Sequence, residues 1–108
     1  MEYVKAAEKE EFRNKNHKTL KLLGRLVGII KRNDGSFFAR EINCKHQGAD
    51  LLADYQGGTI ACCPRHGWKY DLESGKCLSN DSPSLKKYGL KTEGEKILVT
   101  LLPLRHDE

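Results

Sequence analysis

Cysteine and histidine side chains are concentrated in two short, similar segments of the sequence. The first reads CKH and supplies Cys44 and His46; the second reads CPRH and supplies Cys63 and His66. Sixteen residues separate His46 from Cys63. Thiolate and imidazole are the side chains that bind zinc and iron–sulfur centres. The pattern therefore predicts a metal centre built from two loops, each of which provides one sulfur and one nitrogen.

Two kinds of centre satisfy this ligand set. A zinc site needs two thiolates and two imidazoles in a tetrahedron, but a zinc finger usually places both cysteines on one side and both histidines on the other. A [2Fe–2S] cluster has two irons, one of which can be bound by both cysteines and the other by both histidines. One Cys and one His in each loop suit two adjacent metals. The spacing alone leaves both readings open.

The segments that must position these loops read as short strands separated by turns. Gly48 and Gly67 follow the two histidines and permit tight turns, while Pro64 stiffens the second loop. One short helical turn is predicted within residues 6–12, and Ile97, Val99 and Leu101 alternate as one buried face. Strand-like runs, several bounded by Gly, Asn or Asp, cover residues 20–23, 26–31, 36–42, 57–63, 68–78 and 85–102.

Such a series of strands predicts an all-β fold, an antiparallel β-sandwich or barrel base with the ligand-rich stretch inserted as a small subdomain. The 108 residues suit a single domain, 1–108. The net charge of +4 comes without a dense basic tract, so we expect no nucleic-acid partner. With no signal-like or membrane-spanning run, and four cysteines that favour metal chemistry over disulfides, we expect no membrane association and a cytoplasmic location.

The two segments, with the residues that follow them, resemble the Rieske iron–sulfur family. Its signature is C-x-H, about sixteen residues, then C-x₂-H, and the stretch CPRHGWKYDLESG is similar to the extended motif of Rieske ferredoxins and oxygenase Rieske domains. The resemblance implies one [2Fe–2S] cluster per chain, with Cys44 and Cys63 on the inner iron and His46 and His66 on the outer iron. It also implies a cluster-binding subdomain at approximately residues 43–83.

The resemblance also bears on the reduction potential. Two thiolates and two neutral imidazoles leave an oxidised cluster formally neutral, which places Rieske potentials at about −150 to +300 mV. The cytochrome bc type has two further cysteines and a serine where this chain has Ala49, Arg65 and Trp68. Tyr70 matches a position that in that type donates to a ligand cysteine. With fewer donors to the sulfurs, we expect the low-potential, oxygenase-associated type.

Residues outside the ligand set have simpler interpretations. Cys62 and Cys77 read as small buried side chains on strands. His17 and His106 read as exposed surface histidines, and Trp68 as either core or docking surface. Pro83 is expected in a loop that shields the cluster. Asp50 and Asp54 have no nucleophile beside them, so they are read as solvated loop residues and no catalytic residue is assigned.

By this resemblance the protein is an electron-transfer protein rather than an enzyme. We expect a soluble Rieske ferredoxin that carries single electrons between a flavin-dependent reductase and an acceptor such as an oxygenase, without a small-molecule substrate site. A terminal oxygenase also needs mononuclear iron on two His and a carboxylate, and only His17 and His106 remain for it. A small subunit of a nitrite-reductase-type oxidoreductase and a redox sensor module are the alternatives.

Overall fold

The computed structural model describes residues 2–44, 49–65 and 67–104. Nine strands and one 3₁₀-helix follow one another in this part of the chain. The strands are β1 (Tyr3–Glu8), β2 (His17–Leu22), β3 (Arg25–Lys31), β4 (Phe37–Glu41), β5 (Ile60–Cys62), β6 (Lys69–Asp71), β7 (Lys87–Tyr88), β8 (Leu90–Glu93) and β9 (Lys96–Thr100). The 3₁₀-helix, Lys9–Phe12, lies between β1 and β2.

The strands form three antiparallel sheets. One sheet has the order β1–β9–β8 and a second has the order β2–β3–β4–β7, and these two sheets make up the base. The third sheet contains only β5 and β6, and in sequence it lies between β4 and β7 of the second sheet. The predicted all-β antiparallel architecture is confirmed.

Turn residues set the β3–β4 hairpin of the base. The turn before β4 contains Asp34, whose Oδ1 accepts hydrogen bonds from Ser36 N at 2.9 Å and Ser36 Oγ at 2.7 Å. Gly35 follows Asp34 with φ of +90°, a conformation that glycine adopts without strain. This Asx-type turn returns the chain from β3 to β4.

The apolar core of the base lies between its two sheets. Eight buried side chains form it: Ala7, Phe12, Val27, Ile29, Ala39, Tyr88, Ile97 and Val99. The predicted inward face of the last strand is confirmed for Ile97 and Val99, both fully buried. Leu101 lies beyond the end of β9 and is only partly buried, so the prediction is wrong for that residue.

The amino-terminal segment agrees with its prediction in part. A short helical turn was expected within residues 6–12, and the 3₁₀-helix Lys9–Phe12 lies there, but Ala6–Glu8 belong to β1. Strand β1 pairs with β9, with Tyr3 opposite Thr100 and Glu8 opposite Lys96. Pairing with a distant strand therefore overrides the local helix preference of Ala and Glu. No helix in the described ranges is long and apolar enough to span a bilayer.

Candidate metal centre

The first ligand loop begins where the chain leaves β4. The Asn43 side chain accepts a hydrogen bond from Leu26 N at 2.8 Å, and Ile42 N donates to Leu26 O at 3.0 Å. These two bonds fix the chain against β3 just before Cys44. The Cys44 amide then donates to Ala49 O at 2.8 Å. Cys44 and Ala49 are thereby held as the two ends of a closed loop.

The second ligand loop joins β5 to β6. Cys63 follows β5 directly, and its amide donates to Trp68 O at 2.7 Å while its carbonyl accepts from Gly67 N at 2.9 Å. Gly67 has φ of +72°, so the tight turn expected from its position is present. In both loops the cysteine amide donates to the carbonyl of the residue five positions later, Ala49 or Trp68.

The two cysteine side chains meet in one buried cluster. Cys44 and Cys63 are each 1% exposed, and both belong to an apolar core that also contains Tyr70. The Tyr70 hydroxyl lies 3.9 Å from Cys44 Sγ. A hydroxyl at this distance reaches the outer limit of a hydrogen bond to sulfur. The contact predicted from the sequence position of Tyr70 is present.

These features fit a metal centre with sulfur ligands. None of the four cysteines, all of which lie in the described ranges, forms a disulfide. Cysteine binds a metal as the thiolate, and a metal cation beside the two sulfurs would offset the cost of burying that charge. His46 and His66, the other two predicted ligands, lie outside the described residues, as does Gly48. Within the described residues no group of three potential ligands is found.

The two remaining cysteines differ from each other. Cys77 is 5% exposed and packs in the same core as Cys44, as predicted. Cys62 was expected to be buried, and that prediction is wrong, since its side chain is exposed. Strand alternation turns Ala61 into the core and Cys62 to the opposite face of β5. Among the described residues no element covers that face at Cys62, so the thiol meets solvent.

Other sequence interpretations hold in part. His17 was expected on the surface but is partly buried; its Nδ1 lies 2.8 Å from Asn16 Oδ1 and its ring packs edge-on against Tyr55. Burial lowers the pKa of His17, while the nearby charge of Asp50 opposes that effect. Asp54 is exposed, as expected.

Flanking residues near the site also have definite positions. Trp68 is partly buried against the core that contains both cysteines, so it contributes to packing. Pro83 lies in the segment between β6 and β7 and is exposed to solvent. His106 lies outside the described residues.

Sequence reasoning missed Arg40, a buried charge next to this core. Arg40 is 6% exposed and lies on β4 between Ala39 and Glu41. Desolvation lowers the pKa of its guanidinium, and the charges of Glu73 and Asp71 oppose that effect. The sequence could have indicated its burial, because strand alternation places Arg40 on the same face of β4 as the buried Phe38.

A surface ion pair joins the same region to the base. Arg32, in the turn after β3, donates from Nε to Glu73 Oε2 at 2.6 Å and from Nη2 to Glu73 Oε1 at 3.0 Å. The two side chains are 36% and 39% exposed. The hydrogen bond from Arg32 holds the pKa of Glu73 below its usual range. Glu73 follows β6, so this pair fixes the end of the small sheet.

The sequence and the fold are similar to those of known proteins. A sequence profile described as Rieske [2Fe-2S] domain matches residues 2–95. The chain is 27% identical over 78 residues to the ferredoxin component of the alkene monooxygenase system of Xanthobacter autotrophicus. That alignment covers 70% of this chain and 63% of the relative. It is 38% identical over 74 residues to the cytochrome b6-f complex iron-sulfur subunit of Chlorobaculum tepidum. That alignment covers 68% of this chain and 40% of the relative.

Both alignments thus span less than two thirds of the relative's own length. Among solved structures, one chain in the complex of reduced oxygenase and oxidised ferredoxin in carbazole 1,9a-dioxygenase superimposes with a TM-score of 0.82. That match covers 96% of this chain and 97% of the other at 18% identity, so it shows a shared fold. Because the profile spans most of the sequence, the chain belongs to the Rieske [2Fe-2S] domain family, and its cofactor is a single [2Fe–2S] cluster.

Proposed function

We propose that the protein is a Rieske ferredoxin, which carries single electrons between a flavin-dependent reductase and an oxygenase or similar acceptor. The observation that carries this proposal is the position of Cys63. Its side chain is 1% exposed, yet the next residues of its loop, Pro64 and Arg65, and Gly67 beyond them, are exposed. A buried sulfur one residue from the surface suits electron exchange with a docked partner without a substrate cavity.

Similar proteins support the same role. The alkene monooxygenase relative is named as a ferredoxin component, as is a naphthalene 1,2-dioxygenase relative from Pseudomonas aeruginosa that is 26% identical over 69 residues. Transient interfaces between redox proteins bury little surface, and a domain of this size has enough surface to form one. We place the protein in the cytoplasm, treat residues 1–108 as a single domain, and assign the cluster-binding subdomain to approximately residues 43–83.

The proposed ligands are Cys44 and Cys63 for one iron and His46 and His66 for the other. When bound, the cluster takes up and releases one electron. Around it, the chain provides the two closed loops that hold the cysteine sulfurs, and the Tyr70 hydroxyl 3.9 Å from Cys44 Sγ. A buried, hydrogen-bonded sulfur environment is one of the means by which a protein sets a cluster potential.

Spectroscopy of a ligand variant tests this assignment. The reduced wild-type protein should give the EPR signal of a mixed-ligand [2Fe–2S] cluster, and His66→Cys should lower the midpoint potential or lose the cluster. His17→Gln is the matched control, because His17 belongs to neither loop and should leave the spectrum unchanged. A His66→Cys protein with the wild-type spectrum and potential would show that His66 is not a ligand.

The electron-transfer role has a direct test with a surrogate acceptor. NADH, a flavin-dependent ferredoxin reductase and cytochrome c are mixed, and cytochrome c reduction is followed with and without this protein. We expect the rate to rise in proportion to the protein added, with one electron stored per chain in a separate reductive titration. No acceleration by a fully cluster-loaded protein would contradict the proposal.

We further propose a potential in the lower part of the family range. Ala49, Arg65 and Trp68 stand where the high-potential type has a disulfide and a hydroxyl donor, and Tyr70 is a donor that acts in the opposite direction. A redox titration followed by EPR measures the midpoint. A strongly positive value, near the upper limit of about +300 mV for the family, would overturn this expectation.

A further inference from the structure

Arg40 is a buried cation whose three nitrogens all bind main-chain oxygens. Its Nε donates to Leu72 O at 2.8 Å, Nη1 to Leu85 O at 3.0 Å and Nη2 to Glu73 O at 2.5 Å. Arginine stays protonated in proteins, so the charge is carried into the interior. Charge-assisted hydrogen bonds of this kind are stronger than neutral ones and offset part of the desolvation cost.

These three bonds connect β4 to the end of the small sheet and to the segment before β7. Leu72 and Glu73 directly follow β6, whereas Leu85 ends the segment that contains Pro83. The Leu85 amide also donates to Gly75 O at 2.7 Å. The fork of Arg40 is therefore the point where β4, the end of β6 and the segment before β7 are fixed relative to one another.

Gly75 makes room for this fork. A Cβ built at Gly75 would lie 2.7 Å from Arg40 Nη1 and 2.5 Å from Leu85 O, closer than side-chain atoms pack. Gly75 also has φ of +81°, which disfavours other residues. The turn after β6 is thus shaped around the guanidinium.

Strand β6 carries Tyr70, two residues before Leu72. Tyr70 is fully buried, and its hydroxyl lies 3.9 Å from Cys44 Sγ. Leu72 is fixed on both sides, because its amide donates to Thr59 O at 2.7 Å and its carbonyl accepts from Arg40. At 3.9 Å the contact is long, so a small displacement of β6 is enough to lose it.

We propose that Arg40 is a positioning residue that holds Tyr70 against Cys44 and thereby raises the reduction potential of the cluster. This inference rests on the proposed role of Cys44 as an iron ligand. A hydroxyl that donates to a ligand sulfur stabilises the reduced, more negative state. Arg40 sets the position of that donor through the main chain of Leu72 and Glu73.

A double-mutant cycle on the cluster-loaded protein tests the proposal. Arg40→Lys keeps the charge but cannot bind three carbonyls in a planar fork. We expect Tyr70→Phe to lower the midpoint potential, Arg40→Lys to lower it by a smaller amount, and the double variant to match Tyr70→Phe alone. Additive shifts would overturn the inference, since Arg40 would then act independently of Tyr70.

Arg32→Lys is the matched control. Arg32 fixes the same turn, but through the side chain of Glu73, so its replacement should leave the potential unchanged. The specific role of Arg40 would also be overturned if Arg32→Lys shifted the midpoint potential as much as Arg40→Lys does and if that shift were absent in the Tyr70→Phe background. A cluster-loaded protein with additive shifts refutes this inference alone, whereas a wild-type protein without the mixed-ligand EPR signal refutes the proposed ligand set as well.

A measurement on the wild-type protein covers the case in which Arg40→Lys does not fold. Nitrogen-15 NMR of arginine side chains should show a slowly exchanging Nε–H for Arg40, with separate signals for its Nη protons, because all three nitrogens are bonded. Arg13, whose side chain is 77% exposed, should exchange quickly and serves as the reference. Exchange at Arg40 as fast as at Arg13 would show that the fork is not held.

Discussion

The base and the proposed cluster-binding part, approximately residues 43–83, are stabilised by different kinds of interaction. Four of the base strands, β1 to β4, contain five to seven residues each, and the core between its sheets consists of aliphatic and aromatic side chains. The β5–β6 sheet has strands of three residues each. Its core includes Cys44, Cys63 and Cys77, and its outer turn is fixed by Arg40 and Arg32.

This difference shows where the cofactor matters for stability. The base has longer paired strands and an apolar core of its own, so we expect it to keep more of its structure without the cluster. A two-stranded sheet of three-residue strands is marginal in water without further support. We therefore expect cluster binding to contribute free energy of folding mainly to the cluster-binding part, as metals do in small metal-binding domains.

The strongest test removes a sulfur ligand from the cluster-binding part. Cys63→Ser should abolish the visible absorption of the cluster, because the proposed inner iron loses one of its two thiolates. The far-UV circular dichroism of the base should be largely kept. Visible absorption and circular dichroism of the purified variant measure both effects.

Cys62→Ser is the matched control for this change. The residue is adjacent in sequence, but its side chain is exposed on the opposite face of β5. It should retain the cluster in full. Loss of all β structure in Cys63→Ser would mean that the two regions fold as one unit, contrary to the comparison.

An intermediate effect is expected in the core of the base. Ile97 is fully buried on β9, so Ile97→Ala should lower the free energy of unfolding by about 2–5 kcal/mol. The midpoint potential should not change, since Ile97 belongs to the core of the base and not to the core that contains the cysteines. Urea unfolding and a redox titration give the two values.

Ile60→Ala provides the comparison for the same residue type. Ile60 is 47% exposed on β5, so its replacement should lower the free energy of unfolding much less than Ile97→Ala does. A shift in potential for Ile97→Ala as large as that for Tyr70→Phe would remove the separation between the two cores.

The smallest effect concerns the surface pair Arg32–Glu73. Glu73→Gln should lower stability by about 0.2–1 kcal/mol at neutral pH, since both side chains are more than one third exposed. Arg32 keeps the pKa of Glu73 below its ordinary value of 4.5 in the folded state. The unfolded state therefore binds more protons, and the contribution is complete above about pH 4.5 and lost as the pH falls through the lower folded pKa.

Urea unfolding of wild type and Glu73→Gln at neutral and acidic pH measures this effect. The difference should be present at neutral pH and vanish in acid. Glu93→Gln, which removes a more exposed contact of 3.6 Å to Lys91, should have no measurable effect at either pH. A Glu73→Gln difference that grows in acid would show that the ion pair is not its cause.

The sequence predicts the parts of this fold that depend on local signals. The turn at Asp34 and Gly35 and the alternation of Ile97 and Val99 follow from side-chain chemistry within a few residues. Strand β1 was missed because only Tyr3 and Val4 of its sequence, YVKAAE, favour strands, and Ala6 to Glu8 are held extended by pairing with β9. Strand β7 contains two residues, too few for any pattern.

The candidate site was predicted to a similar extent. The two cysteines predicted as ligands lie buried in one core, and the contact of Tyr70 with Cys44 that the resemblance implies is present. The exposure of Cys62 did not follow, because alternation gives the face of a side chain but not whether another element covers that face. The role of Arg40 depends on carbonyls distant in sequence. The ligand roles of all four residues, Cys44, His46, Cys63 and His66, stay predictions.

The pairing of β1 with β9 has a consequence for synthesis of the protein. Residues 3–8 are opposite residues 96–100, so the partner of β1 is made roughly 5–20 s later at ribosomal rates of about 5–20 residues per second. The β5–β6 hairpin, by contrast, joins neighbours. During that interval residues 3–8 lack their strand partner, and their backbone groups bond to water. The β1–β9–β8 sheet is therefore completed late in translation, after both cysteine loops have been synthesised.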